Sequence, residues 1–555
     1  MVRATFSGFN TALSALQANQ KRLDITGQNL SNMNTAGYTR QQLEASSLNY
    51  TNPVSHYSNG NETAVGFGVS MDRVSQIRDP YLDIQYRSQS ADCSYTNRLQ
   101  TALNSLSKVL DETTISGIRK AFDDVQSTLT SMQDPAKVSD LIYESELRTK
   151  MQSVCNLFNQ ASRQITQAEQ NEFQRLTGEG SSEQGDVQKI NDILRQIGDL
   201  NVQIKRNQVA GHPSLELQDE RNLLLDELSG YIPVETRYYK DDAHSGNNAY
   251  DYDANGAVIG KKDWPDDLEV SMNYIDAQGK SQKLILVNGS DLGADGLTKN
   301  YGQLSVLNRD HQPAASVSDP ANISIKFEKA PSYQVNGQAA TDVYAELKGI
   351  HFEGGSLQAS LDMLQKKGTG NVINGSVDDV RGYQYYSEKL DQLADTFAKS
   401  MNASNNGNNH KDQNLLSNST DDSTNGITAG NIGISKGWTS GTIHISTDGT
   451  NRTDTILDMI AAMKDTKKLN GKTFADYMNN LSTQLASDSS SNQTALKTGT
   501  TVLNSIQDSR DSLSGVSLDE EATNMMAYVS AYNAASRLMT ALDEVLNTLI
   551  SNTGA

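Results

Sequence analysis

The last stretch of the chain constrains its fold more than any other. From Ser517 to Ile550 the apolar side chains recur at alternating spacings of three and four residues, the pattern of one long helix with a heptad seam. Ser517 is a favourable N-cap, and the acidic residues after it suit the positive end of a helix dipole. Because a lone helix would leave this apolar face in water, the face needs a partner.

The beginning of the chain repeats this pattern. Residues 1–30 carry three basic and one acidic side chain, a net charge of +2, whereas residues 517–550 carry one basic and five acidic, a net charge of −4. Matching seams of opposite charge predict that the terminal helices pair with each other or with neighbouring copies of the chain. The alternative, ordinary core helices of one globular domain, fits less well because chain ends are usually frayed. The residues that we expect to mediate assembly are Phe6, Phe9, Leu13, Leu16, Leu23, Leu30, Met525, Val529, Tyr532, Met539, Leu542, Leu546, Leu549 and Ile550.

The bulk composition favours long helices and modest β domains over one large core. The chain has 555 residues, which predicts several domains, and only 36% of them are hydrophobic. The net charge of −20, with no basic stripe to offset it, disfavours nucleic acid as a partner. No segment approaches the roughly 20 apolar residues that span a bilayer, so we expect no membrane association. No apolar signal segment opens the chain, which predicts a cytosolic protein or export by a route that reads no such signal.

No pattern in the sequence indicates a catalytic, cofactor or metal site. Cys93 and Cys155 lie far apart without histidine companions, and we expect both to be free thiols on helices. Asp251–Gly256 matches the first half of a calcium loop, but Lys262 stands where the bidentate carboxylate belongs, which favours a β-turn. Two further segments resemble the end of a phosphate-binding loop but lack its upstream glycine.

The order of the patterns along the chain predicts a multidomain, mainly α protein. Helical spacing begins near Pro80 and continues to about Leu228. Alternating runs separated by Asn, Gly and Pro then predict an inserted all-β domain, with strands at residues 268–272, 283–287, 323–327 and 343–347.

Four domains are predicted from these patterns. The terminal helices form a coiled-coil-like pair, and a discontinuous domain of long helices carries two insertions. The second insertion is rich in Asn, Ser and Gly, and we expect a short strand at residues 442–446. The predicted divisions are 1–50 with 517–555 for the terminal pair, 76–230 with 357–401 and 473–516 for the long helices, 231–356 for the β domain and 402–472 for the second insertion.

Two motifs beside the terminal helices carry a family resemblance. After the first helix, six residues match the pattern Asn-x-x-Asn-x-x-Thr-Pro-Gly-Tyr-x-Arg, with Ala36 in place of the proline; they are Asn29, Asn32, Thr35, Gly37, Tyr38 and Arg40. This block resembles the signature of the flagellar axial proteins, which comprise rod, hook and hook-associated proteins. The second motif, Ser-Gly-Val-x-Leu-Asp-Glu-Glu, resembles the hook-associated members at the hook–filament junction; its residues are Ser514, Gly515, Leu518, Asp519, Glu520 and Glu521.

The resemblance implies a structural protein without enzymatic activity or cofactor. It implies export through the flagellar secretion channel, a cytosolic export chaperone at the C-terminal helix, and an extracellular place on the flagellum. It also implies a ring of identical subunits, with hook protein on one side and the next hook-associated or filament junction protein on the other. The alternatives are another axial component, such as a hook or rod protein, or a secreted enzyme carried on an axial scaffold with its active site in residues 231–356.

Overall fold

A computed structural model gives the architecture of the chain. It describes residues 2–48, 68–110, 117–138, 140–178, 182–240, 250–252, 258–261, 266–275, 280–290, 299–307, 323–328, 334–335, 338–339, 344–347, 351–373, 376–407, 412–446 and 453–553. The described chain is mostly helical with several small antiparallel sheets. The helices are α1 (Val2–Ser31), α2 (Pro80–Leu110), α3 (Ile118–Ser131), α4 (Pro135–Val138), α5 (Leu141–Thr177), α6 (Asp186–Val209), α7 (Leu215–Tyr231), α8 (Gly355–Gln365), α9 (Tyr383–Asn405), α10 (Lys436–Ser440), α11 (Asp454–Lys464), α12 (Phe474–Ser514) and α13 (Leu518–Thr553).

Helix α12 is longer than its apolar pattern predicts. Two helical segments are expected, at residues 474–485 and 494–513, but the structure has one continuous helix. The polar stretch between them contains no Gly or Pro that would break it. Its side chains bond to the antiparallel neighbour α2 instead: Asn492 donates to the Thr96 carbonyl (2.9 Å), and the Gln100 amide donates to the Ser489 hydroxyl (2.7 Å).

The terminal helices α1 and α13 pack against each other in opposite directions. A β-carbon at Gly8 would lie 3.4 Å from a methyl carbon of Leu542, near the start of α1 and the end of α13. Farther along, the Arg22 guanidinium lies 5.6 Å from the centre of the Tyr528 ring. The contacts thus move toward the end of α1 as they move toward the start of α13, so the two helices are antiparallel.

The face that α13 turns toward α1 coincides only in part with the predicted seam. Val529, Leu549 and Ile550 belong to that seam, yet they are among the exposed large apolar residues, as is Leu13 of α1. The smaller Ala535 is the buried apolar residue of α13 instead. Met525, Tyr532, Met539 and Leu546 of the seam are half-buried, so the face toward α1 is the predicted seam turned partly toward Ala535.

The β-strands lie in antiparallel pairs. Strand β6 is central to a four-stranded sheet with β3, β7 and β13, and β9 lies between β8 and β12. The four strands predicted in this domain are present as β6, β7, β9 and β12. The strands are β1 (Gln41–Ser47), β2 (Val69–Gln76), β3 (Glu235–Lys240), β4 (Tyr250–Tyr252), β5 (Val258–Lys261), β6 (Asp266–Ile275), β7 (Ser281–Asn288), β8 (Gln303–Leu307), β9 (Ser324–Glu328), β10 (Gln334–Val335), β11 (Gln338–Ala339), β12 (Tyr344–Leu347), β13 (His351–Phe352), β14 (Val372–Ile373), β15 (Ser376–Val377), β16 (Leu416–Asn418) and β17 (Ile432–Ile434).

Four phenylalanines join distant parts of the sequence in the helical core. Phe122 of α3 is buried, and its ring centre lies 5.9 Å from Phe158, 5.2 Å from Phe397 and 5.5 Å from Phe474. These partners come from α5, α9 and α12. The cluster therefore assembles one core from both halves of the chain, on either side of the β insertion.

The strand predicted at residues 442–446 is wrong. This segment has no strand structure, although Ile445 is buried. The side chain of Asn405 replaces a partner strand: its oxygen accepts from the Ser446 amide (2.8 Å), and its amide donates to the His444 carbonyl (3.2 Å). The alternating apolar pattern thus reflects burial against α9 and not sheet pairing.

The rest of the second insertion joins the helical core. Trp438 is fully buried, and its indole donates to the carboxylate of Glu144 on α5 at 2.8 Å. Strands β16 and β17 pair with each other, and both pack on α9. The Asn-rich composition therefore marks a loop-rich segment whose apolar side chains are shared with α5 and α9.

Candidate functional site

Asn29 organises the turn that follows α1. Its side chain is buried; its amide donates to the Gln41 carbonyl (3.0 Å), and its oxygen accepts from the Gln41 backbone amide (3.0 Å). The same oxygen accepts a hydrogen bond from the Tyr38 hydroxyl at 2.9 Å. Because an amide side chain offers both a donor and an acceptor, Asn29 acts as a neighbouring strand for the first residue of β1. Burial, with nearby Asp219, raises the pKa of the Tyr38 phenol and keeps it a hydrogen-bond donor.

Asn32 and Gly37 shape the turn itself. The Asn32 amide donates to the Gln28 carbonyl (3.0 Å), and the Thr35 hydroxyl donates to the Asn32 side-chain oxygen (3.2 Å). Gly37 has a φ of +77°, a left-handed conformation that residues with a β-carbon rarely adopt, and it lies against Leu223 of α7. These contacts reverse the direction of the chain and place Arg40 beside residues 514–521.

Arg40 joins the two motifs. Its backbone amide donates to the Ser514 carbonyl at 2.9 Å. Its guanidinium donates from Nε to Glu521 (2.8 Å) and from Nη1 to Glu520 (2.7 Å). The Glu521 side chain is only 2% exposed, so one half of this bridge is shielded from water. Motifs separated by 481 positions in the sequence are therefore parts of one contact.

Gly515 occupies a position that admits no side chain. A β-carbon there would lie 2.3 Å from the Asp511 carbonyl oxygen, to which the Gly515 amide donates at 2.8 Å. The Ser514 hydroxyl donates to the Arg510 carbonyl (2.7 Å) in the same last turn of α12. This close approach ends α12 and starts the three-residue connector 515–517. Beyond it the remaining motif residues Leu518 and Asp519 are exposed in the first turn of α13.

A layer of ion pairs supports the contact from the N-terminal side. The Thr39 amide donates to the carboxylate of Asp219 on α7 at 3.1 Å. Arg78, ahead of α2, donates to the Thr39 hydroxyl (3.3 Å) and to Asp83 (2.5 Å). Sequence reasoning missed these residues, because no local spacing marks a partner such as Asp219, which lies 180 positions from Thr39.

Arg510 ties the C-terminal side to the same layer. Its guanidinium bonds to Asp226 of α7 (2.7 Å) and to Asp83 of α2 (3.2 Å), and it lies 4.3 Å from the centre of the Tyr86 ring. Asp226 also accepts from Arg87 at 2.8 Å. Helices α2, α7 and α12 are therefore fixed to one another immediately beneath the two motifs.

A cavity of about 810 Å³ lies between the motif contact and the helical domain. Its walls include Tyr38, Arg40, Leu223, Arg510 and Glu520. Because this space is not filled by apolar side chains, hydrogen bonds and ion pairs carry much of the connection between the terminal pair and the helices below.

The predicted assembly residues divide by exposure. Phe6 lies in α1, but its side chain is outside the described residues. Leu13, Val529, Leu549 and Ile550 are exposed. The half-buried members are Phe9, Leu16, Leu23, Leu30, Met525, Tyr532, Met539, Leu542 and Leu546. Sequence reasoning missed the buried Ala12, Ala18 and Ile25 of α1, because the predicted seam was built on larger apolar side chains.

Within the described residues, no group of three or more His, Cys, Asp or Glu side chains is arranged to hold a metal ion. Cys93 and Cys155 are buried free thiols on α2 and α5, as predicted, and burial raises the pKa of Cys155 to about 12. The predicted turn at residues 251–256 lies largely outside the described residues. No described helix combines the length and the apolar character needed to cross a bilayer.

Comparisons with known proteins match this chain to flagellar proteins over single segments and over nearly its whole length. The family model described as flagellar hook-associated protein FlgK helical domain matches residues 103–262. Over 568 aligned residues the chain is 29% identical to flagellar hook-associated protein 1 of Bacillus subtilis, with 99% of each chain covered. These matches support a flagellar hook–filament junction protein of the hook-associated protein 1 type.

Other family relatives match over shorter stretches. The chain is 29% identical to flagellar hook-associated protein 1 of Salmonella typhimurium over 231 residues, which cover 41% of this chain and 38% of that protein. The structure of the flagellar hook junction protein FlgK from Burkholderia pseudomallei is 18% identical, with a TM-score of 0.37 over 61% of this chain and 45% of that one.

Two further family models match the two ends of the chain. The model described as flagella basal body rod protein matches residues 9–39, and the model described as flagellar basal body rod FlgEFG protein C-terminal matches residues 509–552. These stretches contain most of α1 with its turn as far as Thr39, and the connector with nearly all of α13. The chain is thus similar to rod proteins at its two ends, whereas the hook-associated family model matches the helical domain.

The buried carboxyl of Asp219 makes the contact sensitive to pH. Burial raises its pKa from 3.8 to about 6. The stability gained from the protonated form is complete below pH 3.8 and lost as the pH rises through about 6. We expect Asp219→Asn to become more stable relative to the unsubstituted protein between pH 4 and pH 7.5, by on the order of 1–3 kcal/mol. Urea unfolding at both pH values checks this, and an unchanged difference would contradict it.

Proposed function

We propose that this chain is a structural subunit of the bacterial flagellum that joins the hook to the filament. The observation that carries the proposal is the contact between its two terminal motifs, which brings both ends of the chain into one unit beside the helical domain. The similarity to a hook-associated protein 1 along nearly the whole chain supports the same function. In this function the subunit is exported through the flagellar secretion channel and lies outside the cell.

The proposed contact surface is the part of α13 that α1 leaves uncovered. One exposed apolar row contains Leu538 and Val545, and a second contains Met526 and Val529. Apolar side chains on both flanks of a paired helix suit a tube or ring, in which every helix has a neighbour on each side. We propose that identical subunits form a ring through these rows, with hook protein on one side and the next hook-associated protein on the other.

We expect the same apolar rows of α13 to be bound by another protein before the subunit assembles. An apolar helix face exposed on a free subunit promotes aggregation, so a cytosolic chaperone bound along α13 would protect it until export. We propose that this chaperone competes with the neighbouring subunit for the same residues. The subunit performs no catalysis in this proposal and needs no cofactor, nucleic acid or membrane.

A hook or rod protein is the second candidate. The rod-protein models that match residues 9–39 and 509–552 favour it for the ends alone. The helical-domain model that matches residues 103–262 favours the hook-associated protein instead. Electron microscopy of the chain added to purified hooks separates the candidates, since a junction protein adds one terminal layer and a hook protein extends the tube.

Removal of the C-terminal helix tests the proposed use of the termini. We expect a chain lacking residues 517–555 to remain monomeric, to lose binding to the export chaperone and to leave hook ends bare, because α1 then lacks the helix that it pairs with. Sedimentation with purified hooks measures the binding, and the full-length chain is the control. Hook ends capped by the shortened chain would refute assembly through α13.

A further inference from the structure

We propose that Arg40 is the positioning residue that fixes the direction of the terminal pair relative to the helical domain. The chain leaves the pair α1/α13 at the turn before β1 and at the connector 515–517, and α1 also packs on β1 and β2. Arg40 lies where these two crossings touch, and it bonds to both. The part of the inference that concerns assembly rests on the proposed function, whereas the part that concerns direction does not.

The bonds of Arg40 act on three separate elements. Its backbone amide holds the last residue of α12 through the Ser514 carbonyl, and its own carbonyl accepts from the Ile77 amide (2.8 Å). Its guanidinium holds the first turn of α13 through Glu520 and Glu521. The backbone of Arg40 thus holds the end of α12 and the segment that leads into α2, and its guanidinium alone holds the start of α13.

The connector between α12 and α13 borders open space. The 810 Å³ cavity lies on one side, and the connector 515–517 is three residues long. Leu518, the first residue of α13, is exposed, so it does not wedge the helix in place. Without the guanidinium, rotation of α13 about the connector would meet the open cavity and not packed side chains.

The chemistry of the bridge requires arginine. A guanidinium presents several N–H donors in one rigid plane, so it can hold two carboxylates at once with defined geometry. A lysine ammonium in the same place would attract both carboxylates but would not orient them. The acidic pair of the second motif and the arginine of the first thus form one positioning device.

Distance measurements on the free protein test the direction. Cysteines introduced by Asp508→Cys in α12 and Asn533→Cys in α13 stand at exposed positions on either side of the connector, and the native Cys93 and Cys155 are buried. Electron-spin distance measurement between labels there reports the angle of the two helices. We expect one narrow distribution for the parent, a broad one for Arg40→Ala and an intermediate width for Arg40→Lys.

Two further variants make the result specific. Exchanging the charges with Arg40→Glu and Glu521→Arg together should narrow the distribution again, which loss of an unrelated packing contact would not do. Arg73→Ala removes a similar arginine–carboxylate pair, Arg73 with Glu44 at 2.7 Å in the β1–β2 hairpin, and should leave the distribution unchanged. An Arg40→Ala distribution as narrow as that of the parent would overturn the inference.

Hook binding then tests the consequence for assembly. We expect Arg40→Ala to need at least about tenfold more protein to cap purified hooks, with the helical domain unfolding at the unchanged temperature. Equal capping by Arg40→Ala overturns the assembly part of the inference. If the parent itself fails to cap hooks, the proposed function is wrong, and the distance measurement still decides whether Arg40 sets the direction of α13.

Discussion

Replacing two exposed residues of α13 should abolish assembly without unfolding the subunit. Leu538 and Val545 lie one heptad apart on the same flank and are 49% and 51% exposed in the single chain. Burial of each side chain by a neighbour would contribute roughly 1.5–3 kcal/mol to every contact. We therefore expect Leu538→Gln with Val545→Gln to raise the concentration needed for capping hooks by at least about a hundredfold.

Both substitutions keep good helix-forming residues at solvent-exposed positions, so the circular dichroism spectrum should not change. A matched control is Ile142→Gln with Leu457→Gln, since both residues are exposed apolar side chains on the helical domain. We expect the control protein to cap hooks like the parent. Normal capping by the α13 variant would mean that this flank is not an intersubunit surface.

Loss of the Phe122 ring should produce the largest effect on stability. The ring is 1% exposed and contacts phenylalanines from three other helices. Truncation to alanine removes that apolar burial and leaves a cavity that the surrounding helices cannot fill, which costs about 3–5 kcal/mol. Chemical unfolding of Phe122→Ala, followed by helical circular dichroism, should show this loss in the transition of the helical domain.

The control for Phe122 is Tyr81→Ala on α2. Tyr81 is an aromatic residue of the same domain, but it is 65% exposed, so its truncation should change stability by less than about 0.5 kcal/mol. If Phe122→Ala behaves like Tyr81→Ala, the four-helix core does not form in solution. A loss confined to hook capping, with unfolding unaffected, would lead to the same conclusion.

Local periodicity was enough to predict most elements and little of their pairing. The sequence predicted the two terminal helices, the long helices from Pro80 onward and the strands of the β domain, because burial on one face repeats at a fixed spacing. It failed at residues 442–446, where an asparagine side chain stands in for a partner strand. The apolar spacing also predicted two helices where the structure has the single helix α12. The polar middle of α12 has no such spacing and is held by hydrogen bonds to α2.

The sequence by itself determined that both ends of this chain are amphipathic helices, and it identified the motif residues beside them. Only the tertiary structure decided which face of α13 meets α1 and that Arg40 bridges to Glu520 and Glu521. The physical reason is that spacing along one element records which side chains avoid water. The face that becomes an interface depends on the shape and charge of a partner hundreds of residues away.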